Sequence, residues 1–230
     1  ILNPSDAILQ SRDKLLASQV MADAGIPVPI TAHVAASEDT DRAIDRVGGV
    51  PCVVKATEGT QGSAVYLART YQQARQLVFQ MLERGMRPLV QEYIEESHGH
   101  DIRVFVVGGR VSAAMRRRAA GDEFRSNFHL GGHVETVHLS EAQIAVALSA
   151  ANILGMDIAG VDMLESRDGP LVLEVNSSPG LEGIEAASGV NVAGAVARHL
   201  ENRLVATRQQ QRIEAEQASL EAPDVQHLTD

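Results

Sequence analysis

Apolar residues recur along this chain with two periods, and the switches between them predict its elements. After Ser11, Leu15, Leu16, Val20 and Met21 fall at helical spacing, and Gly25 with Pro27 and Pro29 ends the pattern, so a helix is expected over 12–24. The run at 50–56 reads as a buried strand; the glycine-bearing EGTQGSA and a short strand at 65–68 follow it, which together make a hairpin. Thr70 caps a helix running to Gly85. Strands are expected at 88–94 (PLVQEYI) and 102–107 (IRVFVV), and Gly108 and Gly109 turn the chain into another at 111–115. The stretch 116–132 has loop character. Ser140 with Gln143 forms a capping box for a helix that Gly155 stops. A strand at 158–164, a turn at 166–169 and the strand in GPLVLEVN come next, then a last helix from near Asn191 past Leu204. Beyond it the chain loses apolar periodicity, and fraying or disorder is expected there. Hairpins separated by helices, rather than strict strand–helix alternation, indicate an α+β fold.

Composition narrows the classes. The chain has 230 residues, 44% of them hydrophobic, with a mean hydropathy of −0.07, which suits a globular protein with a substantial core. No apolar run is long enough to span a membrane and no secretory signal pattern opens the chain, so a cytoplasmic protein is expected. The single cysteine, Cys52, lies in the apolar run VPCVVKA and reads as a small core residue. Twenty basic against thirty acidic residues give a formal charge of −10, which argues against direct nucleic-acid binding. Positive charge is concentrated at Arg116, Arg117 and Arg118, with Arg125 close behind; such a cluster suits carboxylates or phosphates, or is a solvated strand end.

The chemistry centres on GPLVLEVNSSPGLEG. Glu174 and Asn176 are two apart in a strand and share a face, just where Ser-Ser-Pro-Gly opens it into a loop. In the preceding strand, AGVDMLES carries Asp162. If residues 167–169 form a three-residue turn with Gly169 left-handed, Asp162 pairs directly opposite Glu174. Two facing carboxylates repel unless a cation sits between them, and an oxygen-only Asp, Glu and Asn set is what magnesium prefers. The alternative is a pair of solvated strand residues, with Asn176 making a turn bond. Lys55 sits mid-strand in PCVVKATEG before Gly59 and Gly62, whose backbone N–H groups can approach an anion closely; the alternative is a lysine snorkelling from an edge strand. No GxxxxGK[ST] or GxGxxG occurs, so a bound nucleotide would not sit on a Walker loop or a Rossmann turn. His129, His133 and His138 have no metal-site spacing. Glu92, Tyr93 and Asp101, taken alone, read as ordinary strand-end residues.

Taken in order, Lys55 before its glycine loop, LVQEYI, GHDIRVFVVGGRV, FRSN, GVDML and LEVNSSPGLEGIE resemble the ATP-grasp ligases, and EGTQG, FRSN and NSSPGLEGIE resemble the RimK branch of that superfamily. The likeness covers the chain to about Leu204. It implies two α+β subdomains whose antiparallel sheets grip ATP: residues 1–94 with the leading helix, residues 95–205 with the metal site, and a polar tail at 206–230. The resemblance also implies roles. Lys55 and Lys14 contact the nucleotide, and the loop with Gly59, Gly62 and Ser63 closes over its phosphates. Glu92 and Tyr93 lie along the adenine, and Asp101 holds the ribose. Arg125, Ser126 and Asn127 reach the terminal phosphate, with Lys55, Arg125 and Asn127 as the catalytic residues. Asp162, Glu174 and Asn176 hold magnesium or manganese. Apart from the resemblance, the guanidinium groups of Arg117 and Arg118 suit bidentate pairing with the carboxylates of the incoming amino acid.

The function implied is ATP-dependent amide formation through an acyl phosphate, with glutamate added to the C-terminus of a small-subunit ribosomal protein by a homo-oligomeric enzyme. A ligase acting on small molecules or on free poly-glutamate, and a nucleotide-sensing module without turnover, are the alternatives. Two departures from the family are visible. The chain opens at ILNPSDA, immediately before the first helix of the grasp, without the small α/β domain that ordinarily precedes it. Ser63 and Ala64 stand where the family loop often has a second glycine pair.

Overall fold

A computed structural model describes residues 2–57, 64–121, 123–126 and 132–221. Two antiparallel sheets organise it, in keeping with the α+β expectation. The first joins β1 (Thr31–His33), β2 (Cys52–Ala56), β3 (Val65–Ala68) and β4 (Pro88–Glu92) in the order β1-β4-β2-β3. The second joins β5 (His100–Val107), β6 (Arg110–Arg118), β7 (His133–Thr136), β8 (Ile158–Ser166) and β9 (Gly169–Asn176) in the order β7-β6-β5-β8-β9.

Strand alternation sorts each sheet into a packed face and a polar one. In the first, Cys52, Val54 and Val90 pack with Ile44 of α3 (Thr40–Arg46) and Val78 of α4 (Tyr71–Glu83). Lys55 and Gln91 face the other way. In the second, Ile102, Val104, Val161 and Met163 form a core with Ala147 and Ala151 of α5 (Glu141–Ile153). The leading helices α1 (Ser5–Arg12) and α2 (Lys14–Asp23) bring Ala7, Ala17 and Met21 into this second core, although they precede the first sheet in sequence. The expected caps are present: Thr70 Oγ accepts from Gln73 N, and Ser140 and Gln143 close a reciprocal capping box. The chain divides into two compact units, Ile1–Val192 with both sheets and the remainder from Ala193.

Four local features depart from the sequence reading. The helix expected over 12–24 is present as α2, which the Asp13 carboxylate starts by accepting the N–H groups of Leu15 and Leu16 at 3.0 and 3.1 Å, and a further helix, α1, precedes it where none is expected. The arginine run is strand rather than loop: Arg116, Arg117 and Arg118 pair with β5 on one side and with Glu135, Val134 and His133 of β7 on the other. Between β8 and β9 the turn has two residues, Arg167 and Asp168, inside the pair Ser166↔Gly169. The missing residue reappears as a bulge at Leu173, so Asp162 does oppose Glu174, but by that bulge and not by a longer turn. The bulge also places Val172 and Val175 together in the core while Glu174 and Asn176 face away from it. Finally, α6 (Val192–Glu221) runs on through polar sequence where fraying is expected, with Gln210–Glu214 and Arg212–Glu216 contacts one turn apart along it.

One tie spans the second sheet. Asn3 is buried with φ of 57°, a left-handed conformation that asparagine tolerates better than most residues. Its Nδ2 donates to the carbonyls of Ile158 and Ser177, both at 2.8 Å, and its Oδ1 accepts from Ile158 N at 2.9 Å. Asn3→Ala removes three hydrogen bonds to half-buried backbone groups and is expected to lower stability by roughly 3 kcal/mol, read as a fall in the urea midpoint at unchanged m-value.

Candidate active site

A cleft of about 1120 Å³ lies between the polar faces of the two sheets, within the first unit. From the first sheet Lys55 and Gln91 enter it, and Glu92 and Tyr93 line it where β4 ends. Lys14 reaches it from the start of α2, whose first N–H donates to Thr57 O at 3.3 Å and ties that helix to the end of β2. From the second sheet come Asp101, Arg103, Arg117, Asp162, Glu174 and Asn176, and from the loop after β6, Arg125 and Ser126.

The structure therefore brings together most of the residues singled out in the sequence. It separates one pair: Arg117 and Arg118 are adjacent in a strand and point to opposite faces, so Arg118 meets Glu135 at 2.9 Å outside the cleft. Gly59, Gly62, Ser63, Asn127 and His129 lie outside the described residues. His133 and His138 are exposed, and among the described residues no three His, Cys, Asp or Glu side chains cluster as a metal site. Cys52 is fully buried, and burial pushes its thiol up to about 11.

Register explains the charge pattern on the second sheet. Asp101 lies opposite Arg117, Arg103 opposite Asp162, and Asp162 opposite Glu174. Arg103 holds Asp162 with two bonds of 2.6 Å; Arg117 bridges Asp101, with Nε to Oδ1 at 2.7 Å, and Asp162, at 2.7 Å. Burial alone raises both acids. Two guanidinium groups outweigh it at Asp162 and hold that carboxyl at about 2, whereas Asp101, with Arg117 and a hydrogen bond from Ser126, stays raised. The repulsion implied by facing Asp162 and Glu174 is thus relieved on the Asp162 side by arginine.

Asn176 completes the group. Its Nδ2 lies 3.2 Å from Glu174 Oε1 and 3.4 Å from Asp162 Oδ2, so three side chains converge around a spot where a positive end already sits between two carboxylates. Turning that amide over presents Oδ1 instead, which completes a hard-oxygen set fit for magnesium. The following loop is held in place by close packing: a Cβ on Gly160 would come 2.7 Å from Pro179 Cβ.

On the opposite wall, burial lowers Lys55 to about 8, with Lys14 adding to the shift and Glu174 opposing it. Its Nζ donates to Gln91 Oε1 at 3.0 Å. The Glu92 carboxylate accepts from Ile30 N at 2.8 Å, the Tyr93 hydroxyl meets His98 Nδ1, and Arg125 is held by Glu123 through bonds of 2.8 and 3.0 Å. Two cleft residues were passed over in the sequence. Arg103 follows Asp101 at i+2, the same spacing that pairs Glu174 with Asn176, and Gln91 is the polar residue inside the apolar run PLVQE.

The RimK-like ATP-grasp domain family model matches residues 11–200. The chain is 52% identical over 200 residues to a probable alpha-L-glutamate ligase of Aeromonas salmonicida, covering 87% of this chain and 67% of that protein. It is 48% identical over 202 residues to a probable alpha-L-glutamate ligase of Legionella pneumophila, covering 88% and 67%. It thus spans about two thirds of the length of these curated relatives. Among solved structures, the RimK domain protein ATP-grasp from Sphaerobacter thermophilus superposes with a TM-score of 0.68 at 24% identity, covering 86% of this chain and 70% of that one. The ATP-grasp ligase PsnB, complexed with a phosphomimetic variant of its minimal precursor, Mg and ADP, gives 0.67 at 24%, covering 87% and 61%. These structural likenesses establish the fold.

Proposed function

This chain belongs to the RimK-like ATP-grasp family, and on that premise we propose that it is the ATP-binding and metal-binding part of a cytoplasmic, self-associating ligase that adds glutamate to the C-terminus of an acceptor protein, with a ribosomal protein as the acceptor. The observation that carries the reading is the convergence of Lys55, Arg103, Arg117, Asp162, Glu174 and Asn176 on one cleft. The relatives named glutamate ligases support glutamate as the added group, and PsnB with Mg and ADP supports a metal–nucleotide pair. No described helix is long and apolar enough to cross a membrane.

In this reading a substrate carboxylate oxygen attacks the terminal phosphorus of ATP, the bond to the bridging oxygen breaks, and ADP leaves an acyl phosphate behind. An amine nitrogen then attacks the acyl carbon, loses a proton, and expels phosphate to form the amide. Asp162, Glu174 and Asn176 would hold magnesium or manganese, which when bound supplies positive charge to the phosphate oxygens. Lys55 and Lys14 bind phosphate oxygens from one wall. Arg103 and Arg117, fixed by Asp101 and Asp162, present an oriented cationic surface opposite, so little reorganisation accompanies the transfer. Glu92 and Tyr93 bound the adenine side, Asp101 faces the ribose, and Arg125 with Ser126 approaches the terminal phosphate.

The test is intact mass spectrometry of an acceptor protein with an acidic C-terminus after incubation with the full-length protein, ATP, magnesium and glutamate. Stepwise glutamyl increments on the protein are expected, with ADP and phosphate released. AMP and pyrophosphate as products, growth of free glutamate oligomers alone, or nucleotide binding with neither product would overturn this reading.

A further inference from the structure

Beneath Lys55 lies a short directional chain of hydrogen bonds. Lys55 Nζ donates to Gln91 Oε1 at 3.0 Å, Gln91 Nε2 donates to Thr31 Oγ1 at 2.7 Å, and Thr31 Oγ1 donates to Pro29 O at 2.9 Å. The members come from adjacent strands: Gln91 of β4 lies opposite Thr31 of β1 and opposite Val53 of β2, which is two residues from Lys55 on the same face. Lys55 and Gln91 are 6% and 4% exposed, so an unmet bond here would go unanswered by water.

The chain fixes its own direction. Pro29 O can only accept, so the Thr31 hydroxyl spends its proton there and its oxygen must accept. Gln91 therefore turns its NH₂ toward Thr31 and its carbonyl toward Lys55. A neutral carbonyl holds an ammonium in place and leaves its charge intact; a carboxylate at the same position would hold it and cancel it. The apolar neighbours Val53 and Leu89 offer no other acceptor on this stretch of the wall.

We infer that Gln91 is a positioning residue for Lys55: through the Thr31–Pro29 relay it aims the ammonium into the cleft, held by a neutral acceptor that does not cancel its charge, for the phosphates of a nucleoside di- or triphosphate. The inference rests on the assignment of Lys55 to phosphate given above. It assigns to Gln91 no contact with the nucleotide and no part in binding its base or sugar.

Calorimetric affinities for ADP and for adenosine, measured with magnesium present on the full-length protein and its variants, test this. Gln91→Met is expected to weaken ADP binding roughly tenfold while adenosine affinity stays at the parent value, because a bond to a charged group is lost beneath the phosphates alone. Gln91→Glu is expected to weaken ADP binding as well, although its carboxylate still accepts from Lys55, and Thr31→Val, acting one link further away, is expected to give a smaller loss in the same direction. Lys55→Met separates the two ideas. If it leaves ADP affinity unchanged, the phosphate assignment of Lys55 fails. If it weakens ADP binding and Gln91→Met does not, or if the double variant binds ADP distinctly more weakly than Lys55→Met alone, Gln91 does not act through Lys55 and the inference is overturned. Equal losses of ADP and adenosine in Gln91→Met would show a general structural role and overturn it too.

Discussion

Glu174→Gln is expected to lower turnover by about two to three orders of magnitude, which corresponds to roughly 3–4 kcal/mol of transition-state stabilisation, with little effect on folding. Glutamine keeps the shape of the side chain and removes one of the two negative charges in the Asp162, Glu174 and Asn176 group. The charge matters more at Glu174 than its neighbours suggest. Asp162 is already compensated by Arg103 and Arg117, whereas Glu174 takes a hydrogen bond from the neutral amide of Asn176, so it is the carboxylate with the larger share of uncompensated charge to offer a divalent cation. Folding is spared because the side chain is half-buried at the cleft wall and packs no part of the core. Magnesium titrations by calorimetry in the presence of ADP check the assignment. Superimposable isotherms for parent and variant would end the metal reading, whatever the variant did to turnover.

Arg117→Met is expected to destabilise the fold by about 3–5 kcal/mol at neutral pH, since it leaves Asp101 and Asp162 buried with one guanidinium fewer. The sequence reading gave this arginine to a substrate carboxylate; its guanidinium is engaged inside the protein, bonded to two aspartates of neighbouring strands. The pH dependence is specific. Asp101 loses its arginine in the variant, and its carboxyl, already raised by burial, rises further. The folded variant then binds a proton that the unfolded chain does not, between the unfolded aspartate value of about 3.9 and the raised folded one, so its stability increases as pH falls through that window. Asp162 keeps Arg103 and remains ionised. Urea unfolding at pH 7 and pH 5 should therefore show the deficit of Arg117→Met shrinking at the lower pH. A deficit that is constant or grows on acidification would mean that Asp101 is not the group left uncompensated.

How far the sequence carries the site depends on whether each relation is local. Thr70 and the Ser140–Gln143 box are read directly, because caps act within four residues. The shared face of Glu174 and Asn176 follows from strand alternation, and survives the bulge because both residues lie beyond it. The pairing of Asp162 with Glu174 was reached through the wrong turn length, and the bulge at Leu173 made up the difference; nothing in the sequence around Leu173 announces a bulge. The aspartate partners of Arg117 were not legible, because Asp101 and Asp162 are 16 and 45 residues away and become its neighbours only when β6, β5 and β8 align. For the same reason Gln91 looked like one polar residue in an apolar strand. Its meaning lies in Lys55 and Thr31, each on a different strand. Helix α1 was not foreseen, because in SDAILQSR the apolar residues Ala7, Ile8 and Leu9 are consecutive and carry no helical period.

The bonds from Asn3 to Ile158 and Ser177 join positions 155 and 174 residues apart, and this sets an order of events during synthesis. At roughly 5–20 residues per second, about 10–35 s separate the emergence of Asn3 from that of Ser177. Throughout that interval α1 and α2 lack the strands that cover Ala7, Ala17 and Met21. The first sheet, with its partners all within residues 31–92, can close well before them. A segment made before both sheets is therefore among the last to be locked, and the carboxylate end of the cleft is completed only when the nascent chain has passed Ser177.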